Sequence, residues 1–227
     1  GDGPLGTVAA DASPEGFVRG YVMHPQVELP LNAQGKLAVG DGIGHGLLSV
    51  TRFTGLKEPV TGSSEIVTGE IAEDITEYLY VSEQTPSSVG LGVLVGKELK
   101  ALAAGGFFIQ PLPDADDAVL DRLEKNLAQV RPVSAMVADG LDARGIIAEL
   151  LRGFSIRYLT ETELTFRCQC SKARIEEVLM SLGEKDLDAL VQDGKAEVGC
   201  QFCGEKYQFD AAELIALRDA ARTMRRV

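Results

Sequence analysis

Residues 166–170 are FRCQC, and residues 199–209 are GCQFCGEKYQF. These two stretches contain all four cysteines of the 227-residue chain: Cys168, Cys170, Cys200 and Cys203. The spacing is C-x-C, then 29 residues, then C-x-x-C. Four thiolates in two close pairs suit tetrahedral Zn²⁺, because soft sulfur ligands match that ion. The pattern therefore predicts a four-cysteine zinc site towards the C-terminal end of the chain.

The residues around the cysteines predict a small α+β module that brings the two pairs together. Ser171 is placed to cap a helix that Gly183 ends. A second short helix follows, then a hairpin with the second cysteine pair at its turn, and then a closing helix. Gly204 allows that turn to fold back tightly. A module of about 60 residues has a marginal core, so zinc binding would supply much of its folding free energy.

Other interpretations of the cysteines stay open at this point. They include two disulfides of a secreted protein and four unconnected core cysteines. The two histidines, His24 and His45, are far away in the sequence and offer no rival ligand set. The spacing alone favours a purely structural zinc. A disulfide within C-x-C closes a small, strained ring, however, and strained disulfides are typical of regulatory bonds.

Composition and charge narrow the class of protein. The chain is 45% apolar and 25% charged, which is ordinary for a soluble globular protein. With 34 acidic and 22 basic residues its net charge is −12, which argues against nucleic-acid binding by bulk charge. The basic cluster Arg222, Arg225 and Arg226 is expected to stabilise the end of the last helix. No apolar run is long enough to span a bilayer, and sparse, paired cysteines favour the cytosol.

The rest of the chain predicts an α+β fold in three parts. Residues 1–112 predict a core domain with a mostly antiparallel sheet, because short alternating runs are separated by Gly, Pro and Asn turns. One helix interrupts this part, with Ile71, Ile75, Tyr78 and Leu79 at helical spacing. Residues 113–153 predict a helical linker, and residues 154–227 the zinc module.

The change of composition at PLPDADD (111–117) marks the start of the linker, with Asp114 as the expected N-cap of its first helix. Its second long helix has an apolar stripe: Ile146, Ile147, Leu150 and Leu151. Such a stripe has to be buried. We expect it to pack on the neighbouring domain; a detachable apolar face is the alternative.

Three rival functions fit the residues less well, and an enzyme is not expected. A zinc-ribbon module for protein or nucleic acid is the main alternative. A thiol oxidoreductase would need Cys200 and Cys203 at a helix N-terminus, where thiol pKa values fall. A zinc hydrolase needs an open coordination position, which four sulfurs would fill. The stretch GDGIGHG (40–46) lacks the lysine of a phosphate-binding loop and predicts a turn.

Several stretches resemble one family, the redox-regulated chaperone heat-shock protein 33. They are GDGPLGTVAADASPEGFVRGYV (1–22), EIVTGEIAEDITEYLYVSEQTPSSVGLGVLV (65–95) and AAGGFFIQPLP (103–113), together with the cysteine pattern behind a helical segment. The resemblance covers nearly the whole chain. Family members begin with a further core segment, so we expect the core domain to be incomplete at its N-terminus here.

The resemblance implies an ATP-independent holdase of the bacterial cytoplasm that acts in the stress response. Reduced members are largely inactive and hold one zinc ion, which assigns the ligands to the four cysteines. Oxidants form the neighbouring disulfides Cys168–Cys170 and Cys200–Cys203 and release the ion. The zinc module and linker then unfold and capture unfolding client proteins, and oxidised members form homodimers. Neither nucleic acid nor membrane is an implied partner.

Overall fold

In the computed structural model, which describes residues 1–55 and 58–224, the protein is an α+β chain of small sheets and helices. The strands are β1 Val8–Ala12, β2 Phe17–Val22, β3 Leu47–Arg52, β4 Val60–Glu65, β5 Ser88–Val95, β6 Ala101–Ile109, β7 Thr165–Phe166, β8 Lys195–Gly199 and β9 Lys206–Asp210. The helices are α1 Val39–Ile43, α2 Ile71–Val81, α3 Asp117–Leu127, α4 Val133–Ala138, α5 Ala143–Leu150, α6 Lys172–Ser181, α7 Glu184–Asp193 and α8 Ala211–Met224. The predicted α+β class is confirmed.

Among the described residues, the strands form four small sheets instead of one continuous sheet. Three are two-stranded antiparallel pairs, β3–β4, β5–β6 and β8–β9. In the fourth sheet β2 pairs antiparallel with β1 and parallel with the short β7. The expectation of mostly antiparallel pairing is therefore confirmed.

The contacts divide the chain into two units. The first consists of Gly1–Thr7 and His24–Glu161, and the second of Val8–Met23 and Thr162–Val227. The β1–β2 hairpin thus belongs with the four cysteines. The three-part division at 112/113 and 153/154 stays a prediction.

In the first unit, α4 packs closely on the β5–β6 hairpin. A Cβ atom on Gly92 would lie 2.9 Å from the backbone nitrogen of Ser134, and one on Gly105 would lie 2.9 Å from a methyl group of Val137. Two strand glycines therefore permit this close approach. The contact places α4 over the inner face of the hairpin.

Helices α4 and α5 share one buried cluster in the first unit. Its members are Val133, Met136, Ile146 and Leu150. Phe107 and Ile109 of β6 pack against the cluster. Ile146 and Leu150 of the predicted α5 stripe are therefore buried against α4 and β6. The expected packing of the stripe on a neighbouring domain stays a prediction, as does the division into domains.

The second unit contains the β1–β2–β7 sheet, helices α6–α8 and the β8–β9 hairpin. Helices and hairpin enclose a second cluster of buried residues: Leu179, Leu187, Phe209, Leu214 and Ala221. The predicted helices before and after the second cysteine pair are confirmed, as is the hairpin between them.

Several local predictions differ from the structure. Helix α3 begins after Asp116, not Asp114. The stretch 40–46 contains most of the short helix α1 instead of a simple turn. Arg222 forms ion pairs with Glu184 and Asp188 of α7, while Arg225 and Arg226 lie outside the described residues. None of the helices in the described part of the chain combines the length and apolar character that crossing a bilayer requires.

Candidate metal centre

Two different local structures present the cysteine pairs. Cys168 and Cys170 lie in the segment between β7 and α6. Ser171 follows directly and caps α6, because its hydroxyl accepts a hydrogen bond from the Arg174 backbone nitrogen at 3.3 Å. The direction in which the chain leaves the first cysteine pair is thereby fixed.

Cys200 and Cys203 lie in the turn between β8 and β9. The Cys200 backbone nitrogen donates to the Glu205 carbonyl, and the Gly204 nitrogen donates to the Cys200 carbonyl, both at 2.8 Å. Gly204 has φ +77°, a conformation that glycine adopts without strain. The turn therefore presents both sulfurs on one side, as the sequence predicted.

The four sulfur atoms form one cluster. All four lie within 4.8 Å of one another, and all four cysteines are free thiols. The Cys168 and Cys200 sulfurs are 3.6 Å apart, and those of Cys170 and Cys203 are 3.4 Å apart. Sulfurs at about 2.3 Å from a tetrahedral zinc ion would be separated by about 3.8 Å. The donor set and its spacing therefore fit a divalent ion of that kind, and the cluster could bind a metal ion.

Two side chains outside the cysteine motif donate to these sulfurs. The Tyr207 hydroxyl of β9 donates to the Cys170 sulfur at 3.2 Å. The Arg19 guanidinium of β2 donates to the Cys168 sulfur at 3.8 Å. Neither residue was predicted from the sequence. Tyr207 lies close to the second cysteine pair in sequence, but no sequence signal links Arg19 to a cysteine 149 positions away.

Hydrogen bonds to the sulfurs change their acidity. The pKa of the Cys168 thiol is lowered to about 6, chiefly because the Cys170 backbone N–H stabilises the thiolate. At Cys203 the Glu205 backbone N–H lowers the pKa, but the neighbouring sulfurs and burial together raise it to about 12. The cluster therefore keeps negative charge on Cys168 near neutral pH, which favours binding of a cation.

Comparisons with known proteins agree with these features. Residues 1–210 match the model of the family described as Hsp33 protein. The 33 kDa chaperonin of Desulforamulus reducens is 46% identical over 215 residues, which cover 94% of this chain and 73% of that protein. The 33 kDa chaperonin of Bacillus subtilis is 47% identical over 221 residues, covering 96% and 76%.

A solved structure gives the same result. The crystal structure of the 33 kDa chaperonin, a heat shock protein 33 homologue, from Thermotoga maritima superimposes with a TM-score of 0.85 at 35% identity. The match covers 98% of this chain and 76% of that one. Fold and site define an α+β protein with a four-cysteine cluster. The chain belongs to the Hsp33 family, whose members are named chaperonins and are not enzymes.

Proposed function

We propose that this protein is a redox-regulated, ATP-independent holdase that oxidation activates in the cytoplasm. The observation that carries the proposal is the cluster of four free cysteine sulfurs in a chain of the Hsp33 family. In the reduced state Cys168, Cys170, Cys200 and Cys203 would hold one Zn²⁺. Four thiolates fill a tetrahedral coordination sphere, so the ion would supply folding free energy and no open position for catalysis.

The switch is oxidation of the four thiolates. Two thiolates give two electrons to a peroxide, whose O–O bond breaks as the S–S bond forms, and two protons convert the reduced oxidant to water. Repeating this step produces the disulfides Cys168–Cys170 and Cys200–Cys203. A sulfur in a disulfide no longer offers the thiolate that binds the metal, so oxidation releases the ion.

Loss of the ion removes a large share of the stability of the cysteine module. The cluster around Leu187 and Leu214 contains five buried residues, which is a small core for three helices and a hairpin. Zinc binding to a four-cysteine site contributes on the order of 10–16 kcal/mol to folding. We therefore expect helices α6–α8 to unfold when the metal leaves.

Unfolding then exposes apolar surface to unfolding client proteins. The α4–α5 cluster, with Met136 and Leu150 almost fully buried, is our proposed second source of such surface once the linker opens. The net charge of −12 keeps client complexes soluble. Oxidised molecules are proposed to form homodimers, and nucleic acid and membranes are not proposed as partners.

Zinc content and thiol content, followed together, test this proposal. The reduced protein is expected to contain one zinc ion, and peroxide should release it while four thiols are lost. Mass mapping should find the Cys168–Cys170 and Cys200–Cys203 links. A variant with all four cysteines changed to serine is the control and should bind no zinc. Zinc that remains bound while the protein is exposed to excess peroxide would indicate a purely structural site, such as a zinc-ribbon binding module.

A further inference from the structure

We propose that Arg19 is an outer-sphere partner of the four-cysteine centre, through which the β1–β2 hairpin docks on the centre while its sulfurs remain thiolates. The inference rests on the proposed metal centre and adds a residue that the cysteine motif does not contain. Contacts and charges within the second unit support this role of Arg19.

A cross-strand ion pair holds the Arg19 guanidinium in position. Arg19 lies opposite Asp11 in the β1–β2 pair, and its Nε and Nη2 lie 2.8 and 2.7 Å from one carboxylate oxygen of Asp11. The Arg19 side chain is only 19% exposed. Its Nη1 is left to reach the Cys168 sulfur. The cross-strand ion pair therefore aims the guanidinium at the cluster.

The hairpin also contacts the turn that carries Cys200 and Cys203. Phe202 lies between Cys200 and Cys203 in sequence. The Arg19 guanidinium carbon lies 4.2 Å from the centre of the Phe202 ring, and the Tyr21 ring meets that ring edge-on at 5.0 Å. Cation–π and edge-to-face contacts of this kind are favourable. The hairpin thus contacts Cys168 of the first pair and, through Phe202, the turn that carries the second pair.

Backbone hydrogen bonds join the hairpin to the segment that precedes Cys168. The amide nitrogens of Thr165 and Arg167 donate to the carbonyls of Gly16 and Val18, at 2.9 and 3.1 Å. Gly16 has φ +87°, and a Cβ atom there would lie 2.2 Å from the Glu163 carbonyl oxygen. Only glycine permits so close an approach. The hairpin is therefore joined to the strand that leads directly into Cys168.

The charge of the four-cysteine centre depends on its oxidation state. Four thiolates and one divalent cation carry a net charge of about −2, and a partly buried cation next to them is stabilised. Two disulfides without the metal carry no such charge, so oxidation removes the thiolate partner of Arg19 and leaves only the ion pair with Asp11. The Phe202 turn loses its metal constraint at the same time. Hairpin docking consequently depends on the state of the centre.

The test compares Arg19→Gln with Arg52→Gln in the zinc-loaded, reduced protein. Arg52 also has a carboxylate partner, Glu83, but lies in the first unit, so its variant matches the change in charge. For Arg19→Gln we expect zinc release to a chelator to be about tenfold faster, the lower end of typical outer-sphere effects. Amide exchange at Thr165 and Arg167 should also rise about tenfold, with helices α6–α8 still protected.

The variant Arg19→Lys should give intermediate values, since it keeps the charge but loses the planar group that contacts Asp11 and Phe202 together. It also keeps the test decisive if Arg19→Gln folds poorly. Zinc release and amide exchange equal to wild type in both Arg19 variants would overturn the inference but leave the redox-switch proposal intact. A wild-type protein that binds no zinc would overturn both.

Discussion

At the scale of single residues, the hydrogen bond from Tyr207 to Cys170 ties β9 to the first cysteine pair. Tyr207→Phe removes the hydroxyl and keeps the ring, which packs against the buried cluster around Leu187 and Leu214. Outer-sphere hydrogen bonds typically change metal affinity by about 10–100-fold. We therefore expect the zinc dissociation constant to rise about tenfold, measured by competition with a chromophoric chelator.

Tyr80→Phe is the matched control for this measurement. Tyr80 is 64% exposed and belongs to α2 of the first unit, so the same loss of a hydroxyl should leave zinc affinity unchanged. Equal affinities for the two variants would show that the Tyr207 hydroxyl does not support the centre.

A second prediction at this scale concerns Leu150. Its side chain is 2% exposed in the cluster that joins α4 and α5. Leu150→Ala removes buried methyl groups and leaves a cavity, which typically costs about 2–5 kcal/mol. The free energy of unfolding from urea titration should fall by that amount.

Leu112→Ala, at a side chain that is 79% exposed, is the control for Leu150→Ala and should change stability by less than about 0.5 kcal/mol. If the α4–α5 surface captures clients, Leu150→Ala should also suppress client aggregation at a lower dose of oxidant than wild type. An unchanged dose would argue against a role for this surface in activation.

At the scale of the helices, the two aspartates at the starts of α5 and α3 are expected to differ in importance. The Asp142 side chain accepts a hydrogen bond from the Gly145 backbone nitrogen at 2.8 Å, whereas Asp116 makes no side-chain cap bond. Asp142→Ala should therefore destabilise its helix by about 1 kcal/mol. Faster amide exchange in α5 of the Asp142→Ala variant measures this loss of stability. A larger loss of stability in α3 of an Asp116→Ala variant would contradict the prediction.

Elements with a strong local signal were predictable. Helix α2 shows helical spacing from Ile71 to Leu79, and α6 lies between Ser171 and Gly183. Strand β6 was not predicted from the sequence, because ALAAGGFFI contains two adjacent glycines and little alternation. Its strand forms through tertiary packing: β5 pairs along it, and Val133 and Val137 of α4 approach Gly105.

The site was predictable to a similar degree. The cluster of four cysteines was predictable because closely spaced cysteine pairs are typical of metal ligands. Arg19 was not, since its role depends on β2 pairing with the distant strand β7. The same long-range pairing groups Val8–Met23 with Thr162–Val227 by their contacts, while the predicted division at 112/113 and 153/154 stays a prediction.

At the scale of the whole molecule, metal removal should affect the two units differently. A strong chelator added to the reduced protein should abolish amide protection in helices α6–α8, if their small core depends on the ion as we propose. Protection in α2 and the β5–β6 pair should persist, since these elements belong to the other unit. Added zinc should restore the lost protection, and equal loss in both units would show that the cysteine module does not respond independently.

Light scattering of a heat-unfolding client protein tests the central claim most directly. The chain is added either reduced and zinc-loaded or after treatment with peroxide, and the variant with four serines receives the same two treatments. The account predicts that only the oxidised wild-type protein suppresses aggregation and that dithiothreitol reverses the activation. Equal scattering with the reduced and the oxidised wild-type protein, or an equal response to peroxide in the four-serine variant, would contradict it.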